Sequence, residues 1–267
     1  MHKLICPKCH EPLVQIERSY KCCNNHNYDL SKSKYLNLLL NPDKATNNPG
    51  DSKESLVARK AYLNKGYYSI ISDTLNQLIL KYKPQANQIL DLGCGEGYYT
   101  QRIKAQFENS TVYGLDISKE AINMATKYRK DIYWLVGNTK NVPVESDSQD
   151  IISALFTVVN KDELERCLKQ DGYIIHVTAN PYHLVEIKEL IYDEVKVKSD
   201  EHIRLPFTTV ESFDVVKKVH IESREDSLNL LKMTPHYYHI KKERRTVLDT
   251  LESMDITIDV KFTVYAL

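Results

Sequence analysis

The stretch Gln88-Ile89-Leu90-Asp91-Leu92-Gly93-Cys94-Gly95-Glu96-Gly97-Tyr98-Tyr99-Thr100 decides how the chain is read. Gln88 to Leu92 is an apolar run of the kind buried on both faces of a parallel sheet, with an acid near its end. Three alternating glycines follow, Gly93, Gly95 and Gly97, and supply a turn tight enough for backbone to approach a ligand before a helix begins near Tyr98. This is the entrance of a nucleotide-type pocket. A dinucleotide fold would carry G-x-G-x-x-G, with its helix N-terminus facing a pyrophosphate, but here the third glycine comes one residue early. Asp91 at the strand end would repel a phosphate and attract a cation.

The D-x-G-x-G-x-G pattern resembles the first motif of the class I S-adenosylmethionine (SAM)-dependent methyltransferases, in which Asp91, Gly93 and Gly95 would meet the cationic amino-acid end of SAM. The next apolar run, Val112-Tyr113-Gly114-Leu115-Asp116-Ile117, closes on Asp116, where an acid takes both ribose hydroxyls of an adenosine.

Outward from this turn the pattern alternates. A helix is expected to about Phe107, a strand at Thr111 to Asp116, a helix at Lys119 to Tyr128 and a strand at Ile132 to Val136. Then come a strand at Asp150 to Phe156, a helix at Lys161 to Leu168 and a strand at Tyr173 to Thr178. The reading is α/β, a Rossmann-like doubly wound parallel sheet with ligands at the carboxyl ends of its strands. Those ends carry Asp91, Asp116, Asn138 with Thr139, Phe156 with Thr157, and Ala179 to His183. A helix at Leu184 to Tyr192, a less regular stretch from Asp193 to His236, a helix near Lys241 to Leu251 and an antiparallel strand at Ile256 to Phe262 complete the chain. Upstream, Ser52 to Leu80 is helical. Leu56, Ala61, Tyr62, Leu75, Leu78 and Ile79 are its expected core positions, with Lys53, Arg59, Lys60 and Lys65 on the wet side.

With 267 residues there is room for one sizeable α/β domain and a small appendage. Lys+Arg and Asp+Glu are equal at 36 each, so no global basic field drives sequence-blind nucleic-acid binding, and RNA contacts must use local patches. The longest apolar candidate, Ile151 to Val159, falls short of a membrane span, and Met1 to Cys6 lacks a signal-peptide core. A cytoplasmic protein with reduced thiols is expected.

Four of the six cysteines precede residue 24. Cys6-Pro7-Lys8-Cys9 forms one knuckle, and Cys22 with His26 forms a second, a closed tetrahedral set for zinc that would supply the folding energy so short a segment cannot bury. Cys23 is an alternative to Cys22, and His10 is a spare ligand. Asn41 to Asp51 is rich in turn formers and reads as a linker. Residues 1–36 are therefore expected to form a zinc-binding RNA-recognition module, 37–70 a linker and helical connection, and 71–267 the methyltransferase domain.

Nearly end to end, the chain resembles the 23S rRNA (guanine-N1) methyltransferases of the RlmA type. The resemblance is carried by the Cys6, Cys9, Cys22, His26 finger; Asn48-Pro49-Gly50-Asp51-Ser52; Ala58-Arg59 with Gly66-Tyr67-Tyr68; and Asp91 to Thr100. Pro181-Tyr182-His183-Leu184 with Glu186 and Lys188, and Met233-Thr234-Pro235, extend it. It implies that the finger helps recognise a hairpin of 23S rRNA, that Tyr68, Tyr99, Thr100 and His183 help enclose SAM, and that the chain forms a homodimer. The loop Phe156-Thr157-Val158-Val159-Asn160 departs from the family's proline-containing pattern. It also lacks the Asn/Asp-Pro-Pro-aromatic signature of exocyclic-amine methyltransferases, which fits attack by a ring nitrogen. His183 and Glu186 are conceivable acceptors for the N1 proton. The Lys241-Lys242-Glu243-Arg244-Arg245 patch, beside Tyr237 and Tyr238, would grip phosphates. Two rival readings are a methyltransferase of another substrate and an rRNA-binding, resistance-related module that does not turn over SAM.

Overall fold

The computed structural model describes residues 2–40, 50–195, 205–242, 246, 248 and 251–267. The linker positions 41–49, Glu243 to Arg245 of the basic patch, and most of the helix expected near Lys241 to Leu251 lie outside the described residues.

The N-terminal ribbon is a three-stranded antiparallel sheet of β1 (Val14–Ile16), β2 (Ser19–Lys21) and β3 (Asn27–Asp29). After it come β4 (Tyr35–Asn37), α1 (Lys53–Asn64) and α2 (Ser69–Tyr82). The chain then alternates through β5 (Gln88–Leu92), α3 (Tyr98–Gln106), β6 (Thr111–Asp116), α4 (Lys119–Ala125), β7 (Tyr133–Val136), β8 (Gln149–Leu155), α5 (Lys161–Cys167) and β9 (Leu168–Ala179). It closes with α6 (Val185–Ile191), β10 (Thr208–Ile221), α7 (Arg224–Lys232), a short 3-10 turn at Pro235–His239, and β11 (Met254–Ala266).

These strands form one eight-stranded sheet in the order β10-β11-β9-β8-β5-β6-β7-β4. Its central strands are parallel, and β11 runs antiparallel to both β9 and β10. Strand order reverses at β5 and β8, so their carboxyl ends diverge into the crevice where such sheets bind ligands. Ile89 and Leu90 are fully buried on opposite faces of β5, and each face has its own apolar core.

Three expectations need correction. The helical stretch is two helices: at Gly66, φ is +83°, a left-handed value that ends α1 and turns the chain into α2. Within α1 the buried stripe is Ser55, Leu56, Ala58, Tyr62 and Leu63, so Ala61 is exposed, whereas Arg59, one turn beyond Ser55, lies on the stripe and reaches inward. The stretch Asp193 to His236 contains the fourteen-residue strand β10 and helix α7. β10 pairs along its length with β11, and alternate side chains such as Phe213, Val215 and Val219 pack on the sheet core.

β4 was not legible. It runs parallel to β7, with Tyr35 opposite Trp134 and Asn37 opposite Val136, so the segment leaving the ribbon is one of the two outer strands of the large sheet. Lys3 and Ile5 also bond the chain near β7: Glu145 N–H donates to Lys3 O at 2.8 Å and Ile5 N–H to Pro143 O at 3.1 Å. Leu4, Leu13 and Tyr20 share a buried cluster with Leu36, Leu115 and Val144.

Candidate active site and metal centre

A cavity of about 640 Å³ opens at the carboxyl ends of β5, β6, β8 and β9. It is within the size range of small-molecule and cofactor sites. The glycine turn forms its floor, with φ of +66° at Gly93 and +56° at Gly95, values that disfavour any side chain. A Cβ on Gly93 would lie 2.3 Å from Thr157 Oγ1. The loop after β8 therefore rests directly on the turn.

Two acids sit where the strands end. Asp91 is 2% exposed and accepts hydrogen bonds from Thr100 Oγ1 (2.5 Å) and Ser153 Oγ (2.8 Å). Burial raises its carboxyl to about 6, against the two hydroxyls, which favour the charged form. Thr100 does not line the cavity; it orients Asp91 from beneath. Asp116 accepts Gly95 N–H (2.9 Å) and Ser118 N–H (2.8 Å), and burial raises its pKa too. Each of its oxygens keeps a second lone pair for a hydroxyl donor. Glu96, which sequence reasoning passed over, is 2% exposed on the cavity wall, its pKa raised by burial and opposed by the charge of Arg59.

Tyr68 and His183, whose part in enclosing SAM is implied by the resemblance, meet across the cavity. Asp259 N–H points at His183 Nδ1 (3.2 Å), so Nδ1 accepts, and the ring proton sits on Nε2 and is donated to Tyr68 Oη (3.2 Å). Burial lowers the His183 pKa to about 3, so the ring is neutral at physiological pH. Both nitrogens are occupied, and His183 is not free to take a proton. Glu186 is no better placed: its carboxylate accepts Thr257 N–H (2.8 Å) and Thr257 Oγ1 (2.6 Å), which ties α6 to β11. In this arrangement both groups are engaged by protein partners.

Tyr99 lines the wall, edge-on to Tyr98 with ring centroids 5.1 Å apart. Asn138 is outside the cavity: its Oδ1 accepts Lys140 N–H (3.0 Å) in its own turn, and the neighbouring Asn141 Nδ2 donates to Pro7 O of the ribbon (2.9 Å). The turn after β7 faces the ribbon and not the site. The remaining walls are long-range. Leu56, Arg59 and Leu63 come from α1, and Met233, Thr234 and Pro235 from the end of α7. At the mouth, Asp51 is paired with Arg59 (2.9 Å), and Ser52 Oγ, the N-cap of α1, lies 2.7 Å from Tyr238 Oη.

In the ribbon, Cys6, Cys9, Cys22 and His26 converge, with all four donor atoms within 4.8 Å of one another. His26 Nδ1 is 3.4 Å from each of the Sγ atoms of Cys6, Cys9 and Cys22, and Cys9 Sγ is 3.7 Å from Cys22 Sγ. These separations match the edges of a tetrahedron around zinc, about 3.5 to 3.8 Å for bonds of roughly 2.0 to 2.3 Å. The set fits the ion. Cys23 and His10 are exposed and outside it. Tyr28 Oη lies 3.1 Å from Cys6 Sγ, where its O–H donates to a ligating thiolate.

A parallel sheet with a reversed antiparallel hairpin at one edge, an acid-glycine turn under a cavity, and a Cys3His ribbon at the other edge define a class I SAM-dependent methyltransferase with an N-terminal zinc ribbon. Residues 89–172 match the Methyltransferase domain family, and residues 4–45 match the family described as RlmA, N-terminal, a zinc ribbon. A relative from Bacillus subtilis (strain 168), the "Putative 23S rRNA (guanine-N(1)-)-methyltransferase YxjB", is 28% identical over 96% of this chain and 94% of its own. The "23S rRNA (guanine(748)-N(1))-methyltransferase" of Streptomyces fradiae is 25% identical over 98% and 95%. A third, from Micromonospora griseorubida, is 24% identical over 96% and 93%. Nearly end to end the chain is thus similar to proteins named 23S rRNA (guanine-N1)-methyltransferases, and its residues 4–45 match the RlmA-type zinc ribbon.

Proposed function

We propose that this protein transfers a methyl group from SAM to N1 of a guanine in a hairpin of 23S rRNA, in the cytoplasm, and that it does so as a homodimer. The observation that supports this best is the joining of ribbon and cavity in one body. The ribbon continues into the sheet through β4, and the helix after it, α1, is a cavity wall. An RNA held by the ribbon is thereby registered against the donor site. No helix among the described residues is long and apolar enough to cross a membrane.

Asp91, Gly93, Gly95, Tyr99, Asp116 and the Tyr68–His183 pair would hold SAM, which supplies an electrophilic methyl group on a sulfonium. The carboxylates of Asp91 and Asp116 are fixed by their donors before any ligand arrives, so little reorganisation is needed on binding. Neutral His183 adds no positive charge to repel a sulfonium. The chain's part in the reaction is thus positioning and charge placement.

The test is methyl transfer from labelled SAM to 23S rRNA from cells lacking the gene, followed by primer extension. N1 methylation blocks Watson–Crick pairing, so a polymerase stop at one hairpin guanine is expected. Incorporation without a stop would place the methyl group on another atom and overturn the N1 reading. Light scattering at micromolar concentration checks the dimer.

A further inference from the structure

Phe156 is an unusual residue for its position. It is the first residue after β8, it lines the donor cavity, and 44% of it is exposed, more than any other aromatic ring on that wall except Tyr238. Its φ is +54°, a left-handed conformation that a bulky aromatic residue avoids unless its surroundings impose it. They do impose it. Phe156 N–H donates to Val177 O (2.9 Å), continuing the pairing of β8 with β9, and the next side chain, Thr157, is pressed against Gly93.

The ring is backed as firmly as the backbone is pinned. It lies nearly parallel to His183, with 17° between planes and 5.9 Å between centroids. His183 is itself held by Tyr68 Oη and Asp259 N–H, and so forms a fixed backstop. An exposed, rigid, flat apolar surface beside a methyl-donor cavity suits a planar base taken out of its stack, because every base has a π-face and stacking needs no further geometry.

We propose that Phe156 is the platform on which the acceptor guanine stacks, with His183 supporting the ring from behind. This rests on the function proposed above and names the surface that presents the base. Phe156 is a substrate-binding residue and takes no proton. The strained backbone serves to turn its ring toward the cavity while Thr157 keeps it in register with the glycine turn.

The experiment compares wild-type protein with Phe156→Ala, Phe156→Leu and Phe156→Tyr, with SAM affinity measured by calorimetry as a check on folding. Turnover on 23S rRNA should fall roughly 10- to 100-fold in the Ala and Leu variants, the loss of one base–aromatic stack. In the Tyr variant, which keeps the ring, it should fall least, and SAM affinity should change far less than turnover in all three. In RNA carrying 2-aminopurine at the target position, fluorescence should stay quenched in the wild-type complex and rise in the Phe156→Leu complex. Equal turnover in the Leu variant and wild type, or a Tyr variant as impaired as Ala, would overturn the platform while leaving methyl transfer to N1 standing. Failure of the wild-type protein to methylate rRNA would overturn both.

Discussion

The metal centre draws its four ligands from the segment between Cys6 and His26, whereas the donor cavity takes its wall from segments as far apart as Gly50 and Tyr238. One site is closed by bonds to an ion, and its geometry follows from two short knuckles. The other exists only when a complete sheet has brought the ends of β5, β6, β8 and β9 together and α1 and α7 have covered them. The local site should therefore fail all at once and the distributed one by degrees.

The largest effect is expected from removing zinc. Chelation, or Cys9→Ser, should unfold the ribbon, since structural zinc contributes on the order of 10 kcal/mol to such segments. Methylation of rRNA should be lost, with SAM binding retained in calorimetry. Simultaneous loss of SAM binding would break the contrast and show that the cavity depends on the ribbon.

Asp91→Asn should weaken SAM binding about 100-fold, the loss of a charge-assisted contact. The same change should stabilise the ligand-free protein. Burial raises the Asp91 carboxyl from 3.8 to about 6, so between those values the native chain keeps a proton that the unfolded chain has released. Stability from this group is fully present below about pH 4 and is lost as pH rises through about 6. Thermal melts should show the Asn variant more stable by about 1–3 kcal/mol at pH 7.5, with the gap closing as pH falls toward 4. In wild type, SAM affinity should drop as the solution is acidified below pH 6.

Gly93→Ala forces a Cβ to within 2.3 Å of Thr157 Oγ1 at a backbone φ of +66°. A loss of about 1–3 kcal/mol in stability is expected, along with impaired turnover from displacement of the loop. Thr157→Ala in the same chain should restore part of both, which a melt and a transfer assay would show. The smallest effect should come from Ser52→Ala, which removes the α1 cap and the Tyr238 contact, for about 0.5–2 kcal/mol in denaturant unfolding.

The same division governs what could be read beforehand. β5 and β6 match their expected bounds because each is a short apolar run closed by a glycine or an acid. Cys6 and Cys9 follow from spacing, whereas the choice of Cys22 over Cys23 and of His26 over His10 is made by the folded ribbon. Arg59 was misplaced because a basic side chain on a helix suggests solvent, while its direction is fixed by the Leu56 and Leu63 stripe packing over the cavity. β4 carries no strand signal of its own; Tyr35 and Leu36 are buried by β7 and the ribbon, so only the assembled sheet defines them. For β10 a signal existed in the alternation of Phe213, Val215 and Val219, obscured by Lys217 and Lys218. The strand pattern put His183 on the ligand-bearing edge, but its role came only from the resemblance, because its partners, Tyr68 and Asp259, lie far from it in sequence.

The pairing of β4 with β7 also dictates an order of events as the chain is made. Tyr35 leaves the ribosome long before its partner Trp134 is translated. The ribbon can acquire its ion and close during that interval, but its exit strand must wait with an unpaired edge. At three residues, that edge is short enough to offer little purchase to a neighbouring nascent chain. The metal-bearing segment can thus mature first, leaving one outer strand of the sheet to dock on its late-arriving partner.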